Sequence, residues 1–334
     1  MKMTGNRVSG EVTADLLDRS EAKTFYDARY QAGYMDQWGS GTKSRIADVI
    51  RELGLPATGD ALDFGCGSGA LTEIICNELP GWKVYGTDLS DVAIDNARIR
   101  VPGCVFLHGE DPALESVKVD FLFSHHVLEH VDHVDSVVKS FANRVRPGGF
   151  MLHVLPCGNE GSLEHELVGL HRNGADPARE GRWFFEDVSH LRRLTSDQLT
   201  AICARHGFEP AGEWYTGQEA GAISWITENG PGIAHKMTDP AMGVDPAASM
   251  RLRQLRRKLL PLSIARRPAV WARNRLERRQ RSLKDWAQLA VLAIPAAISW
   301  PLDSMIRRRA AAEWDTRRHD RRGSEMFLAF RRSI

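Results

Sequence analysis

His125, His126 and His130 lie close together in the chain, and His190 stands further along. Imidazole is the side chain best matched to accepting a proton near neutral pH, so each of these suits the role of a base acting on a hydroxyl. Spacing alone does not separate their roles. A second grouping, Asp63-Phe64-Gly65-Cys66-Gly67-Ser68-Gly69, follows a short apolar run and precedes a helical pattern. Glycines in that setting permit a tight turn and let backbone N–H groups approach a ligand at a helix N-terminus. Asp88 ends the next apolar run, where a carboxylate suits a pair of ribose hydroxyls. Gly109-Glu110-Asp111 ends a third and offers an acidic partner to an adenine amino group.

The elements that position these residues are legible as an alternation. Apolar runs at residues 61–64, 83–87, 104–108, 119–124 and 150–155 read as strands, and residues 71–79, 92–100 and 134–145 read as helices. Pro147-Gly148-Gly149 makes a turn before the fifth strand. This is the rhythm of an α/β fold with a doubly wound, mostly parallel sheet. It puts His125, His126 and His130 at the C-terminal end of the fourth strand, where open sheets place their ligand crevice. Thr195 and Ser196 start a helix that reaches Arg205, and residues 208–216 form a sixth strand. Residues 156–194, with little periodicity, read as a long cover over the acceptor site. They contain His165, His171, Arg172, Trp183, Phe184, Phe185, Asp187, His190 and Arg192. Glu164, His165, Glu166 and His171 match no metal-ligand spacing, and no metal is expected.

Four segments, Leu62-Asp63-Phe64-Gly65-Cys66-Gly67-Ser68-Gly69, Gly86-Thr87-Asp88-Leu89-Ser90, Val127-Leu128-Glu129-His130-Val131 and Arg146-Pro147-Gly148-Gly149, occur in that order. Together they resemble the class I S-adenosylmethionine-dependent methyltransferases, over residues 42–216. The resemblance implies a seven-stranded sheet whose last strand is antiparallel, with S-adenosyl-L-methionine as cofactor. It puts Gly65, Gly67 and Gly69 beside the methionine part, Asp88 with Leu89 at the ribose, and Glu110 or Asp111 at the adenine. Asp63 would orient the glycine loop or the ligand's amino group. Residues 1–41 would fold over the cofactor as a lid, with Tyr30 or Tyr34, one turn apart on a helix, at its carboxylate. The Asp187-x-x-His190-x-Arg192-x-x-Thr195 pattern resembles a segment near the acceptor in small-molecule methyltransferases, or else braces the following helix. A nicotinamide-binding Rossmann domain is the main alternative to the cofactor assignment.

Composition excludes fibrous, disordered and disulfide-scaffold proteins: the 334 residues are 43% hydrophobic and 26% charged, with net charge +1. Five cysteines without a Cys-x-x-Cys pair point to a reducing compartment, and the absence of an apolar run in residues 1–18 points to the cytosol. The near-neutral total hides an asymmetry. Residues 251–322 hold 20 Lys and Arg against 6 Asp and Glu, a local charge of +14. Residues 324–331 suit the final strand, which makes residues 220–323 an insertion within the last hairpin of a domain spanning 42–219 and 324–334. Inside it residues 286–302 are apolar except for Gln288 and Ser299, with basic flanks and with Pro295 and Pro301 as interruptions. One crossing would strand the last sheet strand on the wrong side of a bilayer, so a re-entrant or in-plane segment is expected. Residues 252–260 and 271–283 read as interfacial helices.

The expected protein is an enzyme that O-methylates a lipid-linked or membrane-associated small molecule, such as a quinone precursor or a lipid-borne glycan. It would work peripherally at the cytoplasmic face of the membrane, against an anionic surface met by residues 251–322. The alternatives are a soluble natural-product O-methyltransferase, an RNA methyltransferase using the basic insertion against nucleic acid, and a non-catalytic cofactor-binding partner protein.

Overall fold

The computed structural model describes residues 19–34, 38–278 and 281–334. Helices α1 (Arg19–Gln31) and α2 (Ser40–Glu52) precede a β/α series: β1 (Gly59–Phe64), α3 (Thr72–Glu78), β2 (Trp82–Asp88), α4 (Asp91–Arg100), β3 (Val105–His108), a single helical turn, β4 (Val119–His125), α5 (Val134–Arg144) and β5 (Val145–Pro156). After α6 (Leu163–Leu170) and a two-stranded ribbon of residues 175–176 and 182–183 come α7 (Ser196–Arg205) and β6 (Phe208–Thr216). The insertion holds α8 (Ala220–Glu228), α9 (Pro231–Met237), α10 (Pro246–Leu276) and α11 (Leu283–Arg317), and the chain returns to the sheet as β7 (Glu325–Arg332).

The strand order is β3-β2-β1-β4-β5-β7-β6, with β7 antiparallel to both neighbours. Chain direction around the sheet reverses between β1 and β4, which opens a crevice at their C-terminal ends. Alternate residues of each strand feed opposite faces. Leu62, Leu122, Met151 and Leu328 pack with Phe141 of α5 and Leu199 of α7, while Ala61, Phe121, Leu152 and Phe327 pack with Ile46 and Ile50 of α2 and Trp314 of α11. A third cluster joins Leu163 and Leu167 of α6, Ile226 of α8, Met237 of α9 and Leu252, Leu255 and Leu259 of α10. The root of the insertion therefore shares a core with α6, in the connection between β5 and α7.

Four expectations are corrected. The connection of little periodicity at residues 156–194 contains α6, whose eight residues are too few to show a period and whose start is set by Ser162 accepting from the His165 N–H at 3.0 Å. Pro295 and Pro301 do not interrupt α11, which runs through both. Each removes one backbone donor, but the carbonyls they release, on Val291 and Ala297, belong to exposed residues. The two interfacial stretches upstream form parts of one helix, α10, which ends at Leu276, short of the end of the second stretch. Tyr34 lies beyond the end of α1, in the following turn. Residues 1–18, and Arg279 on the basic flank, lie outside the described residues.

α10 and α11 run antiparallel, held by a buried charge network. Arg266 is fully buried and its guanidinium donates to Asp303 Oδ1 at 3.0 and 2.6 Å and to the Ser224 carbonyl at 2.9 Å. Arg273 adds an ion pair to Asp303 at 3.5 Å and another to Glu228 at 2.9 Å. Removing one partner of a buried pair leaves an uncompensated charge, whereas replacing both with apolar residues need not. Asp303→Ala should therefore cost about 3–5 kcal/mol in a urea unfolding experiment. The double change Arg266→Met with Asp303→Leu should recover most of that loss; equal loss in both would show that the pair is not what holds the helices together.

Candidate active site

The end of β1 turns through Gly65 and Gly67 with φ of +80° and +51°, values that L side chains rarely adopt. Space forbids a side chain as well: a Cβ on Gly65 would stand 2.4 Å from Val127 Cγ2, and one on Gly67 would stand 2.8 Å from the Tyr30 hydroxyl. Gly69 abuts Ala97 of α4. The turn is stitched to β2, since the Gly65 and Cys66 N–H groups donate to the Thr87 carbonyl at 2.8 and 2.9 Å. Asp88 completes the stitching by accepting from the Gly67 N–H and the Ser90 N–H, both at 2.9 Å. Each Asp88 oxygen keeps a lone pair for a further donor, and burial raises its pKa. Asp63 is buried and accepts from the Thr72 hydroxyl at 2.6 Å, with burial pushing it up to about 7.

These residues face a cavity of about 560 Å³ lined by Asp63, Gly65, Gly67, Asp88, Leu89 and Gly109 on one side. Tyr26, Tyr30, Tyr34 and Trp38 enclose it from the N-terminal segment, and His125, His126 and His130 close the far end. The third acidic position differs from expectation. Gly109 forms the wall, Glu110 is exposed, and the Asp111 carboxylate accepts from the Ala113 N–H at 2.9 Å, so neither carboxylate lines the cavity. α1 is tied across the opening by Arg29, bidentate to Asp187 at 3.1 and 2.8 Å, and by Asp27, which accepts from the Ser90 hydroxyl at 2.5 Å.

The histidines separate by their neighbours. His126, at φ +52°, has Nδ1 3.0 Å from a Glu129 oxygen and Nε2 3.2 Å from Glu325 Oε1. Burial alone would lower its pKa, but these two carboxylates raise it to about 10, and they are themselves held down at about 2. The two carboxylates thus favour the imidazolium form of His126, which has no lone pair for a hydroxyl proton. His125 is buried to the point of staying neutral, with its pKa lowered to about 3, and its ring packs on Trp38 at 4.4 Å between centroids. His130 is also shifted down by burial, and its Nδ1 lies 3.1 Å from the Ser189 carbonyl. A carbonyl accepts only, so Nδ1 carries the proton and Nε2 the lone pair. His190 does not line the cavity; it packs edge-on behind His130 at 4.7 Å, with Nδ1 3.5 Å from Glu186.

Arg192 braces rather than faces the cavity, donating to the Asp132 carbonyl at 2.9 Å and pairing with Glu180. Arg193, not singled out from sequence, is buried beneath Trp183, ion-paired with Glu186, and donates to the carbonyls of Cys157 and Ser324 at 2.8 and 2.7 Å. Two groups, His125 with His126 and Glu325, and Glu129 with His130 and His190, bring metal-ligand atoms within 4.8 Å of one another among the described residues. His126 is ion-paired with both carboxylates and His130 contacts a carbonyl, whereas neither ring nitrogen of His125 has a hydrogen-bond partner among the described residues. The residues at 164–166 and 171 form no such group.

A glycine turn at the first strand, a carboxylate at the end of the second and a cavity at the switch point define a Rossmann-like domain that binds a nucleoside cofactor. The model of a methyltransferase domain family, Methyltransf_23, matches residues 38–211, more than half of the chain, and the chain belongs to that family of S-adenosylmethionine-dependent enzymes. It is 31% identical over 156 residues to the trans-aconitate 2-methyltransferase of Methylobacterium nodulans, which is 46% of this chain and 59% of that protein. It is 25% identical over 143 residues to isonocardicin synthase of Nocardia uniformis, covering 41% of this chain and 47% of the relative. The match thus spans under two thirds of either relative's length. The fold is also that of the [4+2]-cyclase SpnF, at 14% identity and a TM-score of 0.50 over 95% of this chain and 97% of the other.

The residues present fit S-adenosylmethionine: Gly67 leaves no room for a side chain where the turn meets Tyr30, and Asp88 retains acceptor capacity for ribose hydroxyls. Asp88→Ala removes those acceptors and the anchor of Gly67 together, and should weaken S-adenosylmethionine binding at least tenfold by calorimetry, about 1.4 kcal/mol. Gly67→Val should abolish it; unchanged binding in both would refute the assignment.

A second prediction concerns charge. The His126 contribution to stability is complete below its ordinary pKa of 6.5 and is lost as pH rises toward about 10. Those of Glu129 and Glu325 are complete above 4.5 and are lost as pH falls toward about 2. The difference in urea midpoint between the native chain and His126→Gln should therefore be largest between pH 4.5 and 6.5 and shrink on both sides. A difference that does not vary with pH would mean that His126 is uncharged.

Proposed function

We propose that this protein transfers a methyl group from S-adenosylmethionine to a hydroxyl oxygen of a lipid-linked or membrane-associated small molecule, with His130 as the general base. The observation that carries the reading is the pairing of His130 Nδ1 with the Ser189 carbonyl at 3.1 Å, in a side chain that lines the cavity. It leaves Nε2 as a neutral acceptor for the proton of an incoming hydroxyl. When bound, the cofactor supplies an electrophilic methyl on a sulfonium, which needs an acceptor held close and in line. His190 and Tyr26, both edge-on to His130, fix the orientation of its ring. Arg29 and Asp187 hold α1 over the site and limit the entry of water.

The lining of the cavity as a whole supports the acceptor reading. Tyr26, Tyr34, Trp38, Val131 and Val137 supply an aromatic and aliphatic wall, and Arg144 is the one Lys or Arg in the described lining. Such a wall favours a weakly charged acceptor with an apolar part over a small tricarboxylate. The relatives named for trans-aconitate support the competing reading of a free carboxylate acceptor. Nucleic acid is the less favoured partner of the basic insertion, because phosphate binding leaves its apolar run at residues 286–302 without a role.

His130→Ala should lower kcat by about 10²–10⁴-fold with binding of S-adenosylmethionine unchanged. With His130 shifted down from 6.5, native activity should hold below that pH and fall only on further acidification. Incubating the enzyme with bacterial membranes and methyl-labelled cofactor should place label in the organic-extractable lipid fraction. Label confined to water-soluble acids, including added trans-aconitate, would overturn the lipid acceptor, and full activity in His130→Ala would overturn the base.

A further inference from the structure

α11 carries its polarity inside out. The side turned to α10 holds the polar groups: Asp285 pairs with Arg278 at 2.7 Å, Gln288 accepts from Arg275 at 2.8 Å, and Asp303 is buried against Arg266. On the opposite side Leu283, Val291, Ile294, Ile298 and Met305 recur at intervals that keep them on one helix face. Four of them are 75–90% exposed: Leu283 at 90%, Val291 at 80%, Ile294 at 75% and Ile298 at 77%. A helix facing water normally presents polar residues there. This stripe runs for about 33 Å along the axis. Trp286 and Trp300 are exposed along α11, and Arg308 and Arg309 are exposed at its far end.

α11 is long and apolar enough to cross a bilayer by length and composition. Its geometry argues against crossing. The uncharged segment of residues 286–302 is about 25 Å long, short of the roughly 30 Å hydrocarbon core. The turn at the far end of the hairpin carries Arg275, Arg278, Arg281 and Lys284, so pushing the tip inward would drag cations through the bilayer. The other end is fixed to the domain, with Trp314 in the sheet core and Glu313 accepting from the Glu219, Ala220 and Gly221 N–H groups at 2.7–2.9 Å. Cations at both ends of an apolar stripe, with aromatic rings beside it, match the headgroup layer of an anionic bilayer on one side only. A second copy of this chain would bring like charges together at both ends.

We infer that α11 lies in the plane of an anionic membrane, its outer stripe sunk to the headgroup boundary along its whole length. The inference rests on the membrane-associated reading of the function and specifies the element that makes contact, and its orientation. The full chain should sediment with phosphatidylglycerol vesicles at least tenfold more strongly than with phosphatidylcholine vesicles. The triple change Val291→Glu, Ile294→Glu and Ile298→Glu alters only exposed side chains, and should abolish sedimentation while leaving S-adenosylmethionine binding intact. Spin labels placed singly at Leu283, Ile294 and Met305 should report equal, shallow depths. Depth increasing toward Leu283 would indicate tip-first insertion and overturn the in-plane orientation. Failure of the native chain to bind vesicles, or a native dimer that the triple change disperses, would overturn membrane docking itself. Methyl transfer to a lipid acceptor in detergent, measured on the same variant, keeps a failure of docking distinct from a failure of the proposed activity.

Discussion

A charged imidazole shared by one buried and one half-buried carboxylate governs the geometry of the site. Glu129 belongs to the segment after β4 and Glu325 to β7, so His126 joins parts of the chain that no local element connects. The His126 N–H donates to the Val154 carbonyl at 2.8 Å, fixing the left-handed turn at the end of β4. Val127 then fills the space beside Gly65, and the glycine turn cannot move without moving the histidine segment. The Glu129 carbonyl accepts from the Leu191 N–H at 2.8 Å, which brings the connection between β5 and α7, with His190, to the same place. The cofactor turn, the histidines after β4 and the connection between β5 and α7 are therefore registered against a single ion cluster.

Much of this was legible in the chain. The strand and helix alternation, the glycine turn, Asp88 and the return of residues 324–331 to the sheet all follow from local patterns of apolar residues and glycine. What escaped depended on partners distant in sequence. Nothing in residues 120–130 announces that Glu325 will neutralise His126, so three histidines looked equivalent until their carboxylates and carbonyls were known. Arg193 was invisible for the same reason, since its partners lie at Cys157, Glu186 and Ser324. Asp88 was legible as a ligand for a sugar but not as the acceptor that holds Gly67 in place.

The insertion inverts the rule that served for the domain. Along the sheet, apolar residues mark the inside; in α11 the apolar stripe faces out and the buried face carries Asp303. A pattern search counts apolar residues without knowing which side meets a neighbour. Pro295 and Pro301 misled for a related reason, because a missing backbone donor disrupts a helix only where the freed carbonyl has no other recourse.

The placement of Glu325 bears on the order in which the molecule becomes competent. β7 inserts between β5 and β6 only after the whole of α8 to α11 has left the ribosome, and its contacts span long separations in the chain, which slows folding. Until it does, β5 and β6 are unpaired edges, and His126 lacks one of the two charges that keep it protonated. The nascent chain thus carries a complete glycine turn and Asp88 well before it carries a finished histidine cluster. The histidine cluster is therefore completed only once the whole helical insertion has been synthesised.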